Sequence, residues 1–212
     1  MNRTTLSLLT IALGFSAMSP LPALAQAPKG GGAVFVMTNS VERNQVIAYA
    51  RDANGALTGG ERFDTGGRGS GGQTAPFASQ GSITLSQDHT LLFAVNAGSG
   101  TISVFGVFGS ALRLIDETLS GGSEPVAVAQ QGSLVYVLNA GGQGSVVGFR
   151  LDNHGRLVQI DNSQVFLTTF AGNSGGSSLS FSPDGHYLLV TERVAGHVDR
   201  SEERRVGKEC LE

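Results

Sequence analysis

Cysteine is nearly absent from this 212-residue sequence, in which the single cysteine is Cys210. Residues 1–209 therefore cannot form a disulfide and cannot supply a thiolate nucleophile or a cysteine-based metal site. Lysine and arginine are also scarce, with 14 residues against 17 acidic ones and a formal net charge of −3. We predict no nucleic-acid partner, because nucleic-acid binding depends on clustered basic side chains.

A hydrophobic run long enough to cross a membrane is also lacking. The apolar run near the start covers residues 6–18, whereas a bilayer core needs about 20 apolar residues. Arg3 precedes this run, and Pro20, Pro22 and the triplet Ala-Leu-Ala at 23–25 follow it. This order predicts a signal peptide over residues 1–25. We therefore expect export to the periplasm or the extracellular space, with no retained membrane anchor.

The other end of the chain, residues 200–212, differs sharply in composition from the middle. It carries 8 of the 31 charged side chains together with Cys210. Residues 200–210 resemble the in-frame translation of a sequencing-library adapter. The alternative interpretation is an ordinary charged tail or helix. We predict a non-native tail over residues 200–212, into which no strand pattern continues.

Residues 26–199 contain a repeat. Short apolar runs alternate with Gly, Asn, Asp and Ser clusters, which predicts antiparallel strands and tight turns rather than helices. One apolar strand recurs four times and ends at landmark positions 39, 96, 139 and 191. These positions are 57, 43 and 52 residues apart, close to the roughly 40–50 residues of a propeller blade.

Further strands complete each unit. A strand follows the landmark at 45–51, 101–107 and 145–151, and a fourth begins at 197–198. Others precede the landmark at 82–85, 125–129 and 178–181 or close the unit at 112–117 and 157–160. The first unit lacks an opening strand. We therefore predict an all-β, incomplete β-propeller over residues 26–199, built from four-stranded antiparallel blades and holding about three blades and a part.

Four motifs carry a resemblance to a known family. They are VMTN at 36–39, LFAVNAG at 92–98, LVYVLNAGG at 134–142 and FSPDGHYLLVTER at 181–193. With them, residues 33–199 resemble the bacterial lactonase family of seven-bladed propellers, related to 6-phosphogluconolactonase and carrying YVTN-type repeats. The resemblance implies a ring of seven blades, about half of it absent here. It also implies lactone chemistry at one mouth of the central channel, with a small lactone as substrate.

Two glycine motifs match signatures of other enzymes without the required context. Residues 172–176 fit the G-x-S-x-G nucleophile elbow, which needs a helix after the serine, but a strand is predicted there. Residues 67–72 fit G-x-G-x-x-G, which binds phosphate through a following helix N-terminus. Because the next residues read as a loop containing Pro76, we reject both a hydrolase triad and a dinucleotide site.

The candidate catalytic residues are Glu192 and Arg193, adjacent to each other just after a predicted inner strand. A carboxylate there could act as a general base, and a guanidinium could hold an anion. The alternative is a surface ion pair. Histidines 89, 154, 186 and 197 are scattered without metal-ligand spacing, so we predict no metal and no cofactor.

Three functions fit these residues. The intact parent could hydrolyse a lactone such as a sugar lactone, or it could be a noncatalytic exported propeller that serves as a binding or scaffold module. The third is an inactive fragment, because an unclosed propeller exposes a strand edge and apolar faces that favour aggregation. The sequence itself sets no oligomeric state.

Overall fold

A computed structural model describes residues 31–73, 79–167, 175–194 and 196–202. These residues form fifteen strands in four antiparallel sheets. Within those ranges, no helix has the length and apolar character needed to cross a bilayer. The predicted signal peptide and residues 203–212 lie outside the described residues.

Each sheet is one blade, and its strands neighbour one another in chain order, except that the last strand of blade 3 pairs with the third strand of that blade. Blade 1 holds β1 (Gly32–Met37), β2 (Gln45–Arg51) and β3 (Leu57–Asp64). Blade 2 holds β4 (Ile83–Leu85), β5 (Leu91–Asn96), β6 (Thr101–Phe108) and β7 (Ala111–Leu119). Blade 3 holds β8 (Pro125–Gln131), β9 (Leu134–Asn139), β10 (Ser145–Leu151), β11 (Leu157–Gln159) and β12 (Val165–Phe166). Blade 4 holds β13 (Gly176–Phe181), β14 (Tyr187–Glu192) and β15 (His197–Glu202).

The core consists of three apolar layers, one between each pair of consecutive blades. Successive side chains of a strand point to opposite faces, so a strand between two blades must be apolar on both faces. Strand β5 meets this requirement: Leu92 and Ala94 pack with Val46 of blade 1, while Phe93 and Val95 pack with Phe149 of blade 3. The same requirement explains the unbroken apolar runs of the sequence repeat. The predicted all-β, incomplete propeller is confirmed.

The strands differ from the sequence prediction in three places. Strand β3 was not predicted, because it contains the Gly59-Gly60 pair and is mostly exposed. The outer edge of blade 3 is split into β11 and β12, both of which pair with β10. Strand β15 continues through Arg200 to Glu202, which contradicts the expectation that no strand enters the predicted tail. The reason is that β14 presents a free edge, where backbone pairing does not depend on side-chain type.

A shared turn joins the first and second strands of blades 2 and 4. In blade 2, the Ser86 hydroxyl donates to Oδ1 of Asp88 over 2.6 Å, and the same oxygen accepts the Thr90 amide over 3.0 Å. In blade 4, Asp184 accepts bonds from Ser182 and from the His186 amide in the same way. The hydrogen bond from Ser86, followed by those from Thr90, lowers the pKa of Asp88 to about 2 from its usual 3.8.

This turn predicts a dependence of stability on pH. Because the pKa of Asp88 is lower in the folded chain, the ionised carboxylate stabilises the fold above pH 4, and this contribution is lost as the pH falls towards 2. We expect Asp88→Asn to flatten the fall in melting temperature between pH 4 and pH 2, measured by circular dichroism. Asp161→Asn, on the surface of blade 3, controls for the lost charge. An unchanged pH profile in the Asp88 variant would contradict the assignment.

Candidate functional site

Two sets of loops meet at one end of the blades, which we call the loop face. One set follows the second strand of each four-stranded unit, and the other links consecutive blades. Backbone hydrogen bonds join the two sets: Gly98 donates to the Arg68 carbonyl over 2.9 Å, and Ala140 donates to the Glu124 carbonyl over 2.9 Å. In blade 4, Arg193 donates to the Gly175 carbonyl over 2.7 Å. The predicted residues Glu192 and Arg193 therefore lie at this face.

The strand that ends at the loop face closes with a buried polar side chain. In blade 2 this is Asn96, which is fully buried. Its Oδ1 accepts a hydrogen bond from Nδ2 of Asn44 over 2.9 Å, and its Nδ2 donates to the Ser103 hydroxyl over 2.8 Å. Asn96 thus ties blade 2 to blade 1, and both the donor and the acceptor of its buried amide are hydrogen-bonded.

Blade 3 repeats the arrangement with one partner missing. Asn139 is 1% exposed, and its Nδ2 donates to the Ser120 carbonyl over 3.2 Å. Its Oδ1, however, has no hydrogen-bond partner among the described residues. The residue equivalent to Asn44 is here Gly100. In blade 1 the Thr65 amide donates to the Asn44 carbonyl, and in blade 2 the Ser120 amide donates to the Gly100 carbonyl in the same way. A glycine cannot supply the side-chain donor.

Glu192 occupies the same position in blade 4. It is the last residue of a six-residue strand and faces His197, as Asn96 faces Thr101 and Asn139 faces Ser145. Its side chain is 1% exposed. The sequence repeat predicts the fourth landmark at Thr191, and the strand pairing moves it by one residue to Glu192. One blade thus carries a buried carboxylate where two others carry a buried amide.

Arg193 follows this buried position directly in the sequence. It is exposed, and its amide is held by the Gly175 carbonyl. The alternative of a surface ion pair required both side chains to be in solvent, and the burial of Glu192 argues against it. A carboxylate can take up and release a proton, so this position is a candidate for proton transfer. The catalytic assignment itself stays a prediction.

The backbone of the G-x-G-x-x-G segment is already hydrogen-bonded. The amides of Gly69 and Gly71 donate to Ser40 and Asn39 carbonyls, and those of Arg68 and Ser70 donate to Ser99 and Asn39 side chains. None of these four groups can therefore cradle a phosphate. In the G-x-S-x-G segment, residues 172–174 lie outside the described residues, and the strand predicted after it is β13.

The described histidines do not converge on a site. His89, His154 and His186 are exposed on turns at the end opposite the loop face, and His197 lies on β15. In the part of the chain that the structure describes, no three His, Cys, Asp or Glu side chains are grouped as a metal site requires.

An open cleft of about 500 Å³ lies on the loop face and is lined by loops from blades 1, 2 and 3. Its polar lining includes Arg68, Gln73, Ser123 and Glu124. Sequence reasoning missed this cleft, because no motif signals that residues 68, 73 and 124 converge. The sequence signal that lies at the cleft is the glycine-rich segment at 67–72, where backbone segments pack closely against one another.

Backbone packing at Gly69 and Gly98 builds the floor of the cleft. A methyl group on Gly98 would overlap the Gly69 carbonyl oxygen and lie 2.9 Å from its carbon. We expect Gly98→Ala to destabilise the fold by about 1–3 kcal/mol, because backbone cannot move aside as a side chain can. Urea unfolding measures the change. In the control, Gly32→Ala, the methyl meets only the movable end of Arg51; equal effects of the two variants would contradict this packing.

Comparisons with known proteins bear on the fold. No family model matches the chain, and no curated protein matches it in sequence. Among solved structures, it is similar to a proposed 6-phosphogluconolactonase of Bacteroides uniformis, with a TM-score of 0.58 and 18% identity over 84% of this chain and 51% of that one. It is also similar to the periplasmic gluconolactonase of Pseudomonas aeruginosa, with a TM-score of 0.54 and 20% identity over 81% and 54%.

A third similar structure is a protein of Lactobacillus plantarum, with a TM-score of 0.59 and 17% identity over 81% of this chain and 53% of that one. At these identities the likeness concerns the fold, which is that of lactonase-type propellers, as the sequence motifs predicted. The chain spans about half the length of each of these proteins.

Proposed function

We propose that the intact propeller to which this chain contributes hydrolyses a lactone at the loop face, with Glu192 as general base. The observation that carries the proposal is the buried carboxylate of Glu192 at a position where blades 2 and 3 have Asn96 and Asn139. A structural role at this position needs only an amide, as Asn96 demonstrates with its hydrogen bonds. A carboxylate adds the ability to accept and return a proton.

The chemistry follows from that ability. Water attacks the lactone carbonyl carbon while the Glu192 carboxylate takes its proton, which produces a tetrahedral intermediate with a negatively charged oxygen. Arg193, as the adjacent guanidinium, would stabilise that oxygen or hold an anionic group of the substrate. Collapse of the intermediate breaks the ring C–O bond, and the proton returns to the departing ring oxygen. The product is an open hydroxy acid, and no cofactor is required.

The test needs the complete gene, so that the ring can close. Hydrolysis of glucono-1,5-lactone and 6-phosphogluconolactone should be measured by pH-stat titration at pH 6–7, against spontaneous opening in the same buffer. We expect turnover above background for the closed ring and none for the 212-residue chain. A folded ring that does not exceed the spontaneous rate with either lactone would refute the proposal.

A noncatalytic binding module is the second candidate, and the observation in its favour is that Glu192 is 1% exposed. A substrate can reach this carboxylate only if part of the loop face moves. We further propose export through the predicted signal peptide, which the periplasmic location named for the Pseudomonas aeruginosa protein supports by analogy alone. Loss of residues 1–25 should then retain the protein in the cytoplasm, whichever of the two functions holds.

A further inference from the structure

We infer that Asn54, at the tip of the hairpin that joins β2 to β3, is a site of spontaneous deamidation. Residues 54 and 55 are the one Asn-Gly pair in the sequence. Glycine has no side chain, so its backbone nitrogen can approach the side-chain amide of the asparagine before it. The hairpin belongs to blade 1, whereas the proposed general base Glu192 belongs to blade 4, so the inference does not depend on the proposed reaction.

The folded chain leaves this pair open to solvent. Asn54 and Gly55 are both exposed, as are all residues from 53 to 59. A methyl group added to Gly55 would meet no atom within 4 Å. The hydrogen bond that Asn54 makes uses its backbone amide, and its side chain has no hydrogen-bond partner in the described part of the chain. The side-chain amide can therefore rotate towards the Gly55 nitrogen.

Four hydrogen bonds hold the turn, and all of them involve Asp52. Its Oδ1 accepts the amides of Asn54 and Ala56 over 2.9 and 2.8 Å. Its backbone amide donates to the Ala56 carbonyl over 2.9 Å, and its carbonyl accepts the Gly55 amide over 3.1 Å. The Gly55 bond is the longest of the four and must open before that nitrogen can attack. Because the turn lies outside the three apolar layers, such a local opening costs far less than global unfolding.

Blade 3 contains the same turn without the reactive pair. In the hairpin from β10 to β11, Oδ1 of Asp152 accepts the amides of His154 and Arg156, each over 2.8 Å. The Asp152 carbonyl accepts the Gly155 amide over 3.1 Å. A histidine stands here in place of the asparagine, and a methyl group on Gly155 would lie 3.3 Å from Ile115 of blade 2. The two hairpins therefore allow the effect of the residue pair to be separated from that of packing.

The reaction balances with water as its co-reactant. Solvent base takes the proton of the Gly55 nitrogen, which bonds to Cγ of Asn54; the Cγ–Nδ2 bond breaks, and the nitrogen leaves as ammonia with a proton from solvent. Water then opens the cyclic imide at either carbonyl and produces aspartate or isoaspartate at position 54. Both products place a negative charge beside the Asp52 carboxylate. Isoaspartate also lengthens the main chain by one carbon atom, which moves the Gly55 amide away from the Asp52 carbonyl that it bonds.

The test is incubation of the folded 212-residue chain at 37 °C and pH 8.5, followed by trypsin digestion and mass spectrometry of the peptide 52–62. We expect Asn54 to react at least about tenfold faster than Asn153 and Asn162, which are also exposed but precede residues whose side chains hinder the attacking nitrogen, as glycine does not. Asn54→His, which copies the turn of blade 3, should give no conversion in this peptide and an unchanged melting temperature.

The matched control is His154→Asn, which transfers the pair to the packed turn of blade 3. We expect that pair to react more slowly than Asn54, because contact with Ile115 restrains the opening of the turn. Equal rates in the two turns would refute the role assigned to exposure. The inference is overturned if Asn54 converts no faster than Asn162, or if its conversion requires prior unfolding of the chain in urea. A lactonase assay of the closed ring fails or succeeds independently of these results.

Discussion

Replacing Glu192 with asparagine is expected to abolish lactone hydrolysis by the closed ring without unfolding it. Asparagine is the residue that blades 2 and 3 carry at the same place, where it is buried and hydrogen-bonded. The variant therefore suits the site sterically but cannot take a proton from water. Loss of a general base lowers kcat by about 10²–10⁴-fold. The measurement is kcat in the pH-stat assay, together with the melting temperature.

Two further variants separate chemistry from packing. Glu192→Gln keeps the length of the side chain and should lose activity to the same extent, whereas Glu61→Gln, at an exposed position of β3, should leave kcat unchanged. Retention of kcat within about threefold in Glu192→Asn would return Glu192 to a purely structural role. Equal loss in Glu61→Gln would show that the assay reports net charge instead.

The second large effect concerns the layer between blades 2 and 3. Phe149 is 1% exposed and packs among Phe93, Val104 and Val137. Removing a buried phenylalanine leaves a cavity, and such losses cost about 3–5 kcal/mol. We therefore expect Phe149→Ala to lower the free energy of unfolding by that amount in urea denaturation followed by fluorescence or circular dichroism.

The matched control lies in the same blade. Phe166 is 57% exposed on β12, and Phe166→Ala should change the unfolding free energy by less than about 0.5 kcal/mol. If both phenylalanines had similar effects, the layer between blades 2 and 3 would not be the tightly packed core described here.

The sequence predicted the propeller because inter-blade packing makes strands such as β5 and β9 apolar on both faces, and that requirement repeats with every blade. It missed β3, where Gly59-Gly60 and mostly exposed residues leave no apolar pattern. It placed the fourth landmark on Thr191, because residue similarity says nothing about register. Only the pairing with His197 identifies Glu192 as the counterpart of the buried asparagines.

The cleft could not be predicted from the sequence, for a different reason. Arg68 and Glu124 are 56 positions apart, and they line one cavity only because the loops that link blades return to the same end. Local propensity cannot report such convergence. The left-handed φ of Glu124 could not be predicted from the sequence either, because a residue that precedes proline is expected to be extended, with a negative φ.

The three apolar layers are separate, and each joins only neighbouring blades. Such an architecture behaves as a one-dimensional array, whose stability is the sum of unit terms and nearest-neighbour terms. Two apolar layers stabilise each of blades 2 and 3, whereas one layer stabilises each of blades 1 and 4 within the described residues. Backbone amides should therefore exchange with solvent in a gradient, slowest in β5 and β9 and fastest in β1 and β15. The proposed base, Glu192, sits in the outermost unit of this array, so its positioning depends on whatever blade packs against the far side of β14.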